Sequence, residues 1–409
     1  MPLFLIGLSI FFLLYFGYAL FWSEKAPYPV EVIFQYRTHY AFFGLVLGFT
    51  LPSPFHDLFV HPQDFLVAFF VVWFGFTLGS GLEVGVLKKI PRNFAGVDAF
   101  QGLCTLIGIW LVLYILSPVV RRIWEAGFSP GELAFTVGAI SAVTVPWGQN
   151  ALARDRRLTG SVVKKFSMVP SFGSLAGVLA AGVMVTRFRP TDPIALYGLT
   201  VSGWSGRLLL SLALGALLGI SADFLLRREY GEHRTAYLMG GVLALGSGLV
   251  MAFHISGLLV GTVIGAWLIN ATLRRLAVLR FVKTSQDLLK GIFLFLVGFL
   301  IGYAVQNVPI DPVGFVLLFL LLLGLRTAVK LLGTDLGMKL FPTKVFKRNT
   351  LMGLGLLPQG SLAVALVLEM SDLFSPDVQA VLLGIALLAV MVNGVFASTA
   401  LKLIPPRSK

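Results

Sequence analysis

Charge is scarce in this sequence. Asp, Glu, Lys and Arg make up 12% of its 409 residues, against about 25% in a soluble domain. That excludes a soluble enzyme built around one buried core. Disorder is excluded too, because hydrophobic residues reach 57% and mean hydropathy is +0.88. Cysteine is almost missing. Cys104 stands alone, so no intrachain disulfide can form and redox compartment is not legible. No long polar stretch exists, which excludes a soluble domain. No nucleophile–base set, metal-ligand cluster or phosphate loop is present, so neither enzyme chemistry nor a cofactor is expected. Gly353-Leu354-Gly355 lies inside an apolar run and reads as packing, not as a nucleotide fingerprint. Acids are fewer than bases, 19 against 32, a formal +13. In a soluble protein this would suggest nucleic acid. Here the basic residues sit in short loops between apolar runs, where they set topology and touch anionic lipid.

What is there is a series of apolar runs. A membrane span needs about 20 mostly apolar residues. Thirteen segments are candidates: 2–22, 34–51, 65–86, 96–117, 132–152, 162–187, 204–226, 236–253, 256–271, 285–306, 312–332, 349–370 and 376–403. The first has no basic flank and no small-residue cleavage site, so it is expected to stay as a span. Loop charge alternates along this series. Loops after even-numbered spans hold Arg121, Arg122, Arg187 and Arg189. Loops after odd-numbered spans carry most of the remaining cations, including Lys88, Lys89, Arg92, Arg154, Arg156, Arg157, Lys344, Lys347 and Arg348. Cytoplasmic loops are rich in Lys and Arg, which puts the N-terminus outside and the C-terminus inside.

Two spans carry a helix-breaking pair. The fifth holds Thr144-Val145-Pro146-Trp147-Gly148 and the twelfth holds Leu357-Pro358-Gln359-Gly360-Ser361. Proline removes a backbone donor and glycine loosens the helix. Backbone groups freed within a membrane must face protein or a water-filled cavity. Two interrupted helices seven spans apart run in opposite directions, the signature of an inverted-repeat transporter with its site at the bilayer midplane. Crossed breaks bring like half-helix ends together, which requires a compensating charge. Arg326 and Lys330, one turn apart on span eleven, can supply it against the negative C-terminal ends. Arg207 and Lys290 lie near span ends and can snorkel. Gly257, Gly261 and Gly265 form a small-residue face that suits an internal or a dimer contact.

Several motifs stand in a telling order. They are Gly81-Leu82-Glu83 at the end of span three and Ser141-Ala142-Val143-Thr144-Val145-Pro146 in span five. Ser256, Gly261, Gly265 and Asn270 follow in span nine, then Phe293 to Gly298 in span ten and Met352 to Ala363 in span twelve. In this order they resemble the monovalent cation/proton antiporter superfamily, especially its thirteen-span bacterial branch of sodium or potassium/proton exchangers. The likeness extends over nearly the whole chain. It implies an all-α polytopic fold with two crossed discontinuous helices. It implies scaffold helices in 1–95 and 236–306, a linker helix at 204–226, and moving core helices in 96–187 and 312–403. It also implies exchange of Na⁺ or K⁺ for protons by an elevator-like motion, often as a homodimer, in the cytoplasmic membrane.

The chain departs from the family in its charges. Family members carry an essential aspartate in the middle of the sixth span. Counting from Thr144, that position falls near Gly173 or Ser174, and no acid occurs from Lys165 to Arg187. Relatives often read Pro-Arg-Gly-Glu at the second break, where this chain reads Pro358-Gln359-Gly360-Ser361. A carboxylate can hold a cation or a proton in turn. Without one, the ion ligands expected are Thr144, Ser171, Ser174, Gln359, Ser361 and backbone at Gly173 and the breaks. Other acids within or beside spans are Glu83, Asp98, Glu132, Asp223, Asp287 and Glu369. They are read as interfacial or ion-paired, with Asp98 near the cytoplasmic start of span four and Glu369 near the outer end of span twelve. His254 reads as an interfacial histidine. Three functions follow: cation/proton exchange, transport of an anion or neutral solute against Arg326 and Lys330, or a transport-inactive sensor or partner subunit.

Overall fold

A computed structural model describes residues 37–51, 53–118, 129–144, 172–188, 194–196, 199–228, 231–307, 311–342 and 350–402. The first expected span, Pro146, Gly148 and Ser171 lie outside the described residues. The elements in chain order are α1 (His39–Thr50), α2 (Ser53–Ser80), the single turn α3 (Val84–Leu87), α4 (Arg92–Ile115), α5 (Pro130–Ala142) and α6 (Phe172–Phe188). An antiparallel pair, β1 (Ile194–Leu196) and β2 (Leu199–Val201), precedes α7 (Gly203–Leu226). Then come α8 (Glu232–Phe253), α9 (Gly257–Ala271), α10 (Arg275–Asn307), α11 (Pro312–Leu340), a 3₁₀ turn (Thr350–Leu356), α12 (Ser361–Glu369), a 3₁₀ turn (Ser371–Leu373) and α13 (Pro376–Lys402). Helix dominates because long apolar runs can satisfy their backbone groups internally only that way.

Among the described residues, α4, α7, α8, α10, α11 and α13 are long and apolar enough to cross a bilayer. Shorter apolar helices lie at His39–Thr50, Asp64–Ser80, Phe172–Phe188 and Gly257–Ala271. Their outward faces are greasy: Leu103, Ile107 and Leu111 on α4, Leu209, Leu217 and Phe224 on α7, and Val313, Val316 and Leu320 on α11 are all exposed. An apolar surface of that extent belongs in lipid. The molecule is an all-α polytopic membrane protein.

Helix ends follow local chemistry. Asp311 caps α11, its carboxylate accepting from Val313 N–H at 3.1 Å and Gly314 N–H at 2.9 Å, with Pro312 in the first turn. Ser256 caps α9 by accepting from Leu259 N–H at 3.3 Å. His254 ends α8 in the left-handed region at φ 49°.

Several boundaries differ from the sequence reading. Span three does not run on to residue 86. It stops at Ser80, and Gly81-Leu82-Glu83 make a turn held by Asn270. The Asn270 amide donates to Leu82 O at 3.0 Å and its oxygen accepts from Val84 N–H at 2.8 Å. Span ten begins ten residues earlier, at Arg275, so Arg280 and Lys283 are helical and not in a loop. Basic residues are good helix formers, so the helix outruns its apolar stretch. The hairpin at 194–201 was not expected between spans six and seven.

Two helix pairs pack with almost no space between backbones. In α1 against α10, a Cβ on Gly44 or Gly48 would meet Phe295 or Phe299 backbone, and one on Gly298 or Gly302 would meet Ala41 or Leu45 backbone. In α2 against α9, Gly75 and Gly79 face Leu258 and Thr262, while Gly261 and Gly265 face Val72 and Phe76. The small-residue face of span nine therefore serves an internal contact. Around these seams lie Phe70, Trp73, Phe74 and Phe293, all at most 2% exposed.

Candidate functional site

The interrupted spans meet. α5 ends at Ala142, and Val143 continues in extended conformation (φ −60°, ψ 126°). Span twelve is a 3₁₀ turn to Leu356, then extended chain through Pro358 to Gly360 (φ −111°, ψ −176°), then α12. The two breaks touch where the Thr144 hydroxyl donates to Leu356 O at 3.3 Å. Two C-terminal ends, those of α5 and of the 3₁₀ turn, thus converge and concentrate carbonyl oxygens in a buried place.

α11 passes beside them and delivers both of its cations. Arg326 is 3% exposed and engages every guanidinium nitrogen: Nε to Ser141 O at 3.1 Å, Nη1 to Leu357 O at 2.8 Å and Nη2 to Val143 O at 3.2 Å. A planar fork with fixed donors suits three carbonyls from two chain segments, which an ammonium could not reach at once. Lys330 is fully buried. Its Nζ donates to Thr144 Oγ1 and to Leu356 O at 3.0 Å. Carbonyls left bare here would cost about 1–3 kcal/mol each.

The remaining expected residues gather around this knot. Ser174 on α6 is fully buried, accepts from Thr144 N–H at 3.2 Å and donates to Thr144 O at 2.5 Å, so it holds both backbone groups of the first break. Gly173 lies beside it, against the backbone of Ala142 and Gly102. The Gln359 amide donates to Ile140 O at 3.1 Å, and its oxygen accepts from Asn393 on α13 at 3.3 Å. Ser361 opens α12 and is buried. A cavity of about 40 Å³ lies against Arg326, Gln359 and Asn393, enough for one or two water-sized groups.

Asp98 is the residue that sequence reasoning misplaced. It lies near the start of α4, but it is only 3% exposed. Its carboxylate accepts from Phe172 N–H at 3.0 Å, the first residue of α6, and Lys330 is a cation in its electrostatic surroundings. Gly102, one turn later on α4, explains the reach. A Cβ there would overlap Gly173 Cα, so the two helices approach closely enough for a short side chain to span the gap. Asp98 thus reaches the start of α6, beside Gly173, from another helix. The signal available in sequence was a lone acid inside an apolar run with a glycine four residues on.

The other acids sit elsewhere. Glu83 pairs with Arg275 at 3.1 Å, Asp223 with Arg227 at 3.3 Å and Asp287 with Arg37 at 3.5 Å. Glu369 is buried at the end of α12 and accepts from Ser256 Oγ at 2.7 Å and Leu258 N–H at 3.0 Å, at the start of α9.

No family model and no curated protein matches this sequence. Solved structures do match. The sodium proton antiporter MjNhaP1 from Methanocaldococcus jannaschii, in its structure at pH 8, aligns with 92% of this chain and 96% of its own at 16% identity, with a TM-score of 0.60. An electron-microscopy map of the same antiporter aligns with 99% of this chain and 97% of its own at 16% identity, with a TM-score of 0.61. At that identity the likeness is one of architecture. This chain has the fold in which that sodium proton antiporter is built.

Proposed function

We propose that this protein is a secondary active transporter that exchanges a monovalent cation, Na⁺ or K⁺, for protons. Spans four to six and eleven to thirteen form the moving core. Spans one to three and eight to ten form the scaffold, with span seven as the link. The protein lies in a bacterial cytoplasmic membrane with its N-terminus outside, a reading supported by the basic-loop pattern.

The observation that carries this reading is the knot of carbonyls at the crossed breaks. It offers oxygen ligands, which suit a hard monovalent cation. It also bears on the anion reading. Arg326 places all three nitrogens on backbone carbonyls, and Lys330 is held by Thr144 and Leu356. These cations neutralise helix ends and do not present themselves to an anionic solute.

Purified protein in proteoliposomes with an imposed pH gradient and a trapped pH-sensitive dye tests the proposal. Addition of Na⁺ or K⁺ is expected to collapse the gradient. A gradient that persists with Na⁺, K⁺ and Li⁺ alike, in vesicles shown to contain folded protein, sinks cation exchange and favours a non-transporting role.

A further inference from the structure

We infer that Asp98 is the carboxylate that takes up the proton and the cation in turn, and that span four, not span six, supplies the ion-carrying acid of this transporter. The inference rests on the exchange reading above and names the residue that performs it.

Exchange of a cation for a proton needs one group that binds either and not both. Neutral oxygens such as Thr144 Oγ1 and Leu356 O can hold a cation, but they do not hold a proton near neutral pH. Lys330 can hold a proton but not a cation. A carboxylate holds both. Among the described acids, Asp98, Asp223 and Glu369 are buried. Asp223 pairs with Arg227, and Glu369 caps α9. Asp98 alone of the three stands beside the crossing.

Its surroundings fit the task. Its carboxylate accepts from Phe172 N–H at 3.0 Å, so the position is fixed against α6. Gly102 and Gly173 leave the backbones in contact, so no side chain intervenes between α4 and α6. The charged group acting on it from a neighbouring element, among the described residues, is Lys330 from α11. From α6 it meets the backbone N–H groups of Phe172 and Gly173. Lys330 therefore acts as the resident cation. When a transported ion binds Asp98, it takes over neutralisation of the carboxylate from Lys330. On the return leg the carboxylate carries one proton from the opposite aqueous side, so one positive charge replaces another at this group.

The test uses the full-length protein in proteoliposomes. Asp98→Asn keeps a side-chain oxygen for Phe172 N–H but cannot titrate. Exchange is expected to fall at least 100-fold in Asp98→Asn, to survive in part in Asp98→Glu, and to be unchanged in Asp223→Asn. In detergent, Na⁺ or K⁺ is expected to raise the melting temperature of the wild type and not of Asp98→Asn. A wild type that exchanges while Asp98→Asn exchanges within twofold overturns this assignment and leaves the exchange reading intact. A wild type that does not exchange overturns the reading. In that case cation stabilisation lost on Asp98→Asn still supports a cation site at Asp98, and its absence overturns the site as well. If Asp98→Asn does not fold, a hydrophobic carbodiimide on wild-type protein decides. A mass-spectrometric adduct on Asp98 that the cation suppresses supports the assignment, and no adduct or an insensitive one overturns it.

Discussion

The glycine seams and the crossing are both buried, but they are built on opposite principles. Along α1–α10 and α2–α9, polar side chains are few and backbones touch through Gly44, Gly48, Gly75, Gly79, Gly261, Gly265, Gly298 and Gly302. Dispersion over a close, dry contact holds these pairs. At the crossing, helices are interrupted, carbonyls are left over, and Arg326, Lys330, Ser174 and Gln359 satisfy them. The first arrangement has one good geometry and resists change. The second is a set of hydrogen bonds that can be exchanged for others, including bonds to an ion. The exchange reading calls for a rigid surface and a rearrangeable one, and this chain separates the two by composition.

The largest expected effect breaks a seam. Gly298→Leu would drive a side chain into Ala41 backbone and is expected to cost about 3 kcal/mol or more, seen as loss of monodisperse protein on size exclusion. Gly240→Leu, where a Cβ meets open space, is the matching control and is expected to leave yield unchanged. If both behave alike, close packing is not what distinguishes the seams.

Next comes the crossing. Arg326→Met removes the donor to three buried carbonyls and is expected to destabilise by about 3 kcal/mol, with exchange falling by two orders of magnitude. Arg326→Lys is expected to rescue little, because one ammonium cannot serve Ser141, Val143 and Leu357 together. Full rescue by Lys would show that charge alone matters. Ser174→Ala leaves Thr144 N–H and O without the hydroxyl that serves them and is expected to cost about 1–3 kcal/mol, measured by thermal melting.

Glu369→Gln probes the join between the two regions. The carboxylate binds Ser256 and Leu258 at the N-terminus of α9 from the end of α12. Loss of its charge is expected to lower stability by about 1 kcal/mol, read as a melting shift.

Much of this was legible because it depends on local chemistry. Apolar runs announced the helices, and Pro358 with Gly360 announced the second break. Charge four residues apart announced that Arg326 and Lys330 face one way. Expected ion ligands Thr144, Ser174 and Gln359 do lie at the crossing. Asp98 was not legible as a site residue, because its distance from the start of α4 said nothing about which helix end it meets. The extra turns of α10 were hidden for a related reason. Hydropathy marks where lipid ends, not where a helix does.

The sequence by itself determined a membrane-embedded helical chain with two weak points and two spare cations, since hydropathy, proline and charge act within a few residues. Only the tertiary structure decided that those weak points touch, which carbonyls the cations answer, and that an acid of span four meets Phe172 of α6. Those outcomes depend on glycine-to-glycine contacts such as Gly102 on Gly173, which set how near two helices come and are invisible along one strand of sequence.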